Sequence, residues 1–230
     1  MINIQQQDII DEFLAFIHDK TYPCIGAKAA ATKQQIQCLV IDHMASSKDD
    51  PHILQFLYQF VEDIRNSDEI FQSAAIIFKE PDILTEEIFE ELLWQRLQSL
   101  ADFDAQNYSY DPRVNKDPTS AFFSFSLMEE AFFIIGLHPS SSRISRQFNY
   151  PTLVFNPHVQ FEKLRASHRY EPMKEIVRSR DLTFSGSINP MLDDFGNTSE
   201  VYQYSGKKYD ASWKCPLKID HATNKHNSTP

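Results

Sequence analysis

Glycine and cysteine are scarce in this chain of 230 residues. It contains only 5 glycines and 3 cysteines. So little glycine argues against a loop-rich glycine scaffold. The cysteines at positions 24, 38 and 215 are odd in number, widely spaced and never arranged as CxxC, so they predict no disulfide framework. The cysteine pattern instead indicates a reduced, cytoplasmic protein.

The chain also lacks long apolar runs and the usual nucleotide and hydrolase motifs. The longest apolar run, residues 131–137, suits a buried strand, because a membrane helix needs about 20 apolar residues. Residues 1–11 are polar and lack the basic start of a signal peptide. No P-loop, GxGxxG, GxSxG or HExxH pattern occurs. We therefore expect no membrane span, no secretion signal and no hydrolase triad.

Positive charge is in deficit overall. The chain has 22 Lys and Arg against 32 Asp and Glu, a net charge of -10. This balance argues against nucleic acids and anionic membranes as partners, because both require exposed positive charge. Residues 143–180 are the exception, with eight basic side chains against three acidic ones. A small anion could therefore bind in this region, although a solvated basic helix face is the alternative.

What is present is a core: 42% of the residues are hydrophobic and 18 are phenylalanine. Apolar spacing predicts helices over residues 5–18, from Asp50-Pro51 and from Thr85, and short ones after Asn156-Pro157 and around Met173. It predicts strands over 36–41, 73–78, 121–127, 131–137 and 152–155. The expected fold is α+β: a mixed, largely antiparallel sheet packed with helices. We expect one domain over residues 1–217, followed by a polar, disordered tail over 218–230.

Two histidines stand out because each follows a predicted strand and lies beside a proline. They are His138, in GLHPSSSR, and His158, in FNPHVQF. Side chains at strand ends emerge from the core, where a neutral imidazole can bind a metal, act as a base or hydrogen-bond a carbonyl. Neither histidine has a metal-site spacing. His221 looks exposed, and Cys24, in YPCIGAKAA, is interpreted first as a small buried residue.

A third cluster lies in residues 185–206, which hold three of the five glycines. Glycine concentrated in one segment indicates tight turns, a frequent property of ligand-binding loops, although a structured surface loop is the alternative. Asp193, Asp194 and Glu200 could receive a cationic ligand there, and Tyr202 and Tyr204 could line a pocket.

Several blocks together resemble the YqcI/YcgG family. They include YPCIGAKAA (22–30), DPHILQFL (50–57), YDPRVNKDPTSAFFSFS (110–126), GLHPSSSR, PTLVFNPHVQFEKLR (151–165), NPMLDDFGNTSEVYQYSG (189–206) and WKCP (213–216). The resemblance covers most of the chain except its ends. Where the family usually has paired arginines before a phenylalanine, this chain has Arg146-Gln147-Phe148.

The resemblance implies a haem-dependent oxygenase, since members of this group include N-hydroxylases of guanidino compounds such as the guanitoxin-pathway enzyme. The cofactor implied is haem b, with dioxygen as co-substrate, an external electron donor and a guanidino substrate, most simply free L-arginine. Haem needs an axial ligand, an apolar slot and cations for its propionates. The expected iron ligand is His138, with His158 second and Cys24 third.

The remaining site residues follow from the same implication. Propionate contacts are expected from Arg143, Arg146 and Arg165, and the apolar wall from phenylalanines 122, 123, 125, 132 and 133, of which Phe125 and Phe133 are the main candidates. The residues expected to act on the substrate are His158, Asp194 and Glu200.

Two other functions are left open. One is a non-haem iron enzyme in which His138, His158 and a carboxylate such as Asp194 form a facial triad. The other is a non-catalytic protein that binds haem or a small molecule. Oligomeric state is undetermined, and a homodimer is one option.

Overall fold

The computed structural model describes residues 4–221 and consists of helices packed on both faces of one sheet. The α-helices are α1 (Ile4–His18), α2 (Ile25–Thr32), α3 (Asp50–Arg65), α4 (Glu86–Asp104), α5 (His158–Ala166), α6 (Tyr170–Ser185) and α7 (Val201–Tyr204). The strands are β1 (Ile36–His43), β2 (Ser73–Glu80), β3 (Phe125–Leu127), β4 (Glu130–Leu137) and β5 (Thr152–Pro157). Short 3-10 helices cover Ser47–Asp49 and Ile144–Arg146.

The five strands form a single sheet in the order β1-β2-β5-β4-β3. β1 and β2 are parallel, with α3 connecting them, and the other neighbouring pairs are antiparallel. The expected α+β fold with a mixed, largely antiparallel sheet is therefore confirmed.

Two hydrophobic cores lie on the two faces of the sheet because successive side chains of a strand point to opposite faces. On one face, Ile76, Phe132 and Phe155 pack with α3 and α4. On the other, Ile77 and Leu137 pack with α1 and α2. Both faces are covered, which explains why β2 is buried from Ser73 to Phe78.

Helix ends follow local sequence signals in part. The Thr85 hydroxyl accepts a hydrogen bond from the Ile88 amide at 3.3 Å and caps α4 as expected. α3 begins at Asp50, with Pro51 in its first turn. Asn156, however, does not cap α5: it lies in β5, and its side chain bonds to Ser73 and to the Phe133 carbonyl. Gly186 ends α6 with a φ of 72°, a left-handed conformation that glycine adopts without steric cost.

Several of the predicted helices and strands differ from the observed ones in number or in length. α2 was not predicted, α6 extends further than the short helix expected around Met173, and β3 starts at Phe125 rather than at residue 121. The alternation of Phe and Ser over residues 123–127 is typical of a half-buried strand, but Ser124 and Ser126 are fully buried. Hydrogen bonds with the Asp111 amide and with Glu200 satisfy their hydroxyls there.

His221 is buried and not exposed. It is 1% exposed, and its Nε2 lies 2.8 Å from Asp104 Oδ2. The segment expected to begin the tail is thus packed up to His221, and residues 222–230 lie outside the described residues. Within residues 4–221, no helix is both long and apolar enough to cross a membrane.

Candidate functional site

A cavity of about 290 Å³ lies against the sheet face that carries α1 and α2. Its floor is formed by Phe133 and Ile135 of β4 and Val154 of β5. α1, α5 and α6 contribute walls, and the loop over residues 187–199 contributes another. The volume is at the small end of the range of about 300–1,000 Å³ for ligand pockets.

His158 is the histidine of this cavity. It is the first residue of α5, directly after β5, and it is 3% exposed. Both ring nitrogens are buried without a hydrogen-bond partner among the described residues. Its ring centroid lies 4.4 Å from that of Phe195. Burial lowers the pKa of His158, so the ring is neutral near pH 7 and able to accept a metal ion or a proton.

Glu200 faces His158 from the N-terminal end of α7. Its Oε1 lies 3.9 Å from His158 Nε2, while Oε2 accepts hydrogen bonds from Ser124 Oγ at 2.8 Å and from the Tyr204 hydroxyl at 3.3 Å. Burial raises the pKa of Glu200 to about 8. The cavity therefore holds a neutral imidazole beside a carboxyl group that is mostly protonated at pH 7.

Cationic side chains outnumber acidic ones around the cavity. The cations are Arg143, Arg146, Arg165, Lys174 and Arg178, and the acids are Asp181, Asp193 and Glu200. Glu200 is mostly protonated at pH 7, whereas Lys174 is already paired with Glu171 and Asp194, so a moderate excess of positive charge remains. Such a cavity favours ligands that carry carboxylates.

The three predicted arginines have different partners. Arg143 is paired with Asp181 and donates to the Ser187 carbonyl at 3.0 Å. Arg146 donates to the carbonyls of Gly136 (3.0 Å), Gln203 (3.1 Å) and Tyr204 (3.3 Å), and burial lowers its pKa to about 10. Arg165 stacks over the Tyr170 ring at 4.3 Å. Arg146 and Arg165 have no carboxylate within 4 Å among the described residues, so both can attract an anion.

His138 does not line the cavity, although the sequence made it the first candidate for the iron ligand. Leu137 points into the cavity, so the next side chain points to the opposite face of the sheet. There the imidazole stacks on Phe89 of α4 at 4.2 Å and is 1% exposed. Burial, with a smaller contribution from Arg146, lowers the pKa of His138 to about 4. His138 is therefore a neutral ring within the packing against α4.

Some of the other predicted site residues line the cavity and others do not. Cys24 lines the cavity, but its sulfur accepts the Ala27 amide at 3.4 Å and burial raises its pKa, so it is a thiol. Phe133 lines the cavity, whereas Phe125 is buried in the core on the opposite face. Asp194 is not a lining residue; its carboxylate accepts a hydrogen bond at 2.8 Å from Lys174, which does line the cavity.

The further phenylalanines expected in the cavity wall also lie elsewhere. Phe123 and Phe132 are buried in the core that packs on α3 and α4, and Phe122 is 57% exposed. Within residues 4–221, no group of three or more His, Cys, Asp or Glu side chains is arranged to hold a metal ion. The triad of His138, His158 and Asp194 is not brought together.

Sequence reasoning missed several lining residues. Phe195, Tyr170, Lys174 and Arg178 lie on α6 or the following loop and line the cavity. Lys174 belongs to the basic stretch for which a solvated helix face was the alternative, yet its side chain is only 15% exposed. A helical pattern extended to Ser185 would have placed residues 170, 174, 177, 178 and 181 on one face, because they are spaced by three or four.

Comparisons with known proteins agree on one family. The chain is 25% identical over 203 residues to "Uncharacterized protein YqcI" of Bacillus subtilis (strain 168), covering 85% of this chain and 75% of that protein. No solved structure matches the chain. The profile of the YqcI/YcgG family matches residues 13–218. The chain therefore belongs to the YqcI/YcgG family.

Proposed function

We propose that this protein is a haem-dependent oxygenase that hydroxylates a nitrogen of a guanidino compound, most simply free L-arginine. The observation that carries the proposal is His158, a buried neutral histidine on the cavity wall whose two ring nitrogens have no hydrogen-bond partner within residues 4–221. Buried polar atoms are almost always satisfied, so an exception in a cavity suggests a ligand.

The residues around the cavity are of the chemical types that bind haem. His158 would bind the haem iron, in place of His138. Phe133, Ile135 and Val154 offer an apolar face, and Arg146 and Arg165 offer cations for the propionates. The cavity volume of about 290 Å³ is smaller than haem requires, so the proposal needs the cavity to widen when haem binds.

When bound, haem supplies the reduction of dioxygen by two external electrons and two protons, so that one oxygen atom enters the substrate N–H bond and the other leaves as water. The protein must then position a guanidinium group. Asp193 lines the cavity, and its pKa is lowered, mainly by a hydrogen bond from Asn197, so it offers an ionised carboxylate. Glu200, protonated at pH 7, can donate a hydrogen bond toward the reacting atoms.

The structure bears differently on the two alternative functions, a non-haem iron enzyme and a non-catalytic binding protein. A non-haem triad of His138, His158 and Asp194 is disfavoured because only His158 lines the cavity. Non-catalytic binding of haem or a small molecule uses the same cavity residues and is separated from the proposal by turnover.

The test is haem reconstitution followed by absorption spectroscopy with and without L-arginine. We expect a Soret band near about 400 nm that shifts when arginine is added, and N-hydroxyarginine by mass spectrometry when dioxygen and a reductant are present. Absence of a stable Soret band would refute the cofactor assignment. A band that arginine leaves unchanged, with no product, would favour a non-catalytic haem protein or another substrate.

A further inference from the structure

We propose that Glu162 is the positioning residue of His158, holding the ring so that Nδ1 faces Glu162 and Nε2 faces the cavity. The inference rests on the proposed role of His158 and adds the group that orients it. Ligating histidines usually give their second ring nitrogen to a carboxylate or carbonyl, which fixes the ring and its tautomer.

The geometry places one carboxylate on each side of the imidazole. Glu162 lies one turn after His158 in α5, and its Oε1 is 3.4 Å from Nδ1. Glu200 Oε1 is 3.9 Å from Nε2. The Nδ1 contact is within hydrogen-bond distance but is not aligned as a hydrogen bond, so the proposed interaction requires the half-exposed Glu162 side chain to turn toward Nδ1. A proton on Nδ1 then leaves the Nε2 lone pair directed into the cavity.

Glu162 is itself held by a fixed cation. Its Oε2 lies 3.8 Å from Arg113. Arg113 in turn donates to both oxygens of Asp111, at 2.6–3.1 Å, and to Glu130 at 2.8 Å. Asp111 and Glu130 are buried, and Asp111 also accepts the Ala131 amide at 2.9 Å. This network connects the orientation of His158 to the start of β4.

The alternative is an ordinary surface charge. The Glu162 side chain is 43% exposed, and exposed ion pairs contribute little to stability. The two interpretations differ in one observable, since only a positioning residue controls which nitrogen of His158 carries the proton.

The experiment measures that proton in the protein without haem. Uniformly ¹⁵N-histidine-labelled protein is studied by imidazole ¹⁵N–¹H correlation at about pH 7, where the ring is neutral and Glu200 is still mostly protonated, and the His158 signal is assigned by its loss in His158→Phe. We expect a single tautomer with the proton on Nδ1. Glu162→Ala should lose that preference, and Glu162→Gln, whose amide oxygen still accepts, should restore it.

Glu62→Ala is the matched control, because Glu62 is a half-exposed helix glutamate paired with Arg65 at 3.7 Å, and it should leave the tautomer unchanged. After reconstitution, Glu162→Ala should weaken haem binding roughly 10- to 100-fold. A proton on Nε2 in the unmodified protein, or an unchanged tautomer in Glu162→Ala, would overturn the inference. A tautomer change in a protein that binds no haem would uphold the positioning role and refute the proposed cofactor.

Discussion

Glu200 Oε1 lies 3.9 Å from Nε2 of His158, and both side chains are buried beside one cavity. The two groups come from segments 42 residues apart in sequence, the start of α5 and the residue before α7. Burial shifts both pKa values toward the neutral form, raising that of Glu200 and lowering that of His158. The imidazole and the carboxyl group that face each other in the cavity are therefore both mostly neutral near pH 7.

The raised pKa of Glu200 predicts a pH-dependent stability. Its pKa is about 8 in the folded protein against an ordinary 4.5, so between these values the folded state holds a proton that the unfolded state has released. The contribution of Glu200 to the free energy of unfolding therefore falls as pH rises through this window, while the histidines whose pKa burial lowers contribute in the opposite direction. In Glu200→Gln we expect this fall to be smaller, by up to a few kcal/mol.

Urea denaturation at about pH 5 and about pH 8 measures the difference. Glu62→Gln, an exposed substitution, is the control and should behave as the unmodified protein. If the free energy of unfolding changes equally between these two pH values in Glu200→Gln and in the unmodified protein, Glu200 is ionised in the folded state.

Two matched histidine variants distinguish the candidate iron ligands. We expect His158→Phe to weaken haem binding at least about 100-fold, more than loss of a supporting group would. His138→Phe should retain haem, because a phenyl ring can replace the imidazole stacked on Phe89. Haem content and the Soret band of the reconstituted variants measure both effects. The reverse pattern would return His138 to the role of ligand.

The Arg143–Asp181 pair predicts that substitutions of its two residues have non-additive effects on stability. Both side chains are nearly buried, 9% and 12% exposed. Arg143→Ala leaves a buried carboxylate without its cation, so we expect a loss of about 3 kcal/mol. Replacing both residues by alanine should cost less than the sum of the single changes. A double-mutant cycle by urea denaturation measures the coupling, and additive losses would contradict it.

Gly136 predicts a packing requirement between β4 and α4. A Cβ at this position would lie 2.6 Å from Phe89 Cε1 and 2.9 Å from the Tyr204 carbonyl oxygen. We expect Gly136→Ala to destabilise the protein by about 1–3 kcal/mol, because the backbone carbonyl cannot move aside. Gly26→Ala, whose Cβ would lie 3.3 Å from the Phe71 ring and 3.9 Å from Cys24 Sγ, should be nearly neutral, because these are side-chain atoms at or near ordinary contact distance. Thermal melts of the two variants compare them.

The sequence by itself determined the fold class, most helices and strands, and the family. Periodic apolar residues identified α1, α3 and α4, because burial of one helix face requires that spacing. Sequence reasoning also selected His138 and His158 together, since each follows a buried strand. It also identified the basic stretch from Arg143 to Arg180.

Tertiary structure alone decided which of those residues meet. His138 and Leu137 point to opposite faces of the sheet, so the location of the cavity, and not the motif, separates His138 from His158. Arg143 pairs with Asp181, which lies 38 residues further along the chain. Asp194 pairs with Lys174 and does not line the cavity. Such pairings depend on how α6 and its following loop pack over the sheet, and local spacing carries no information about contacts between distant segments.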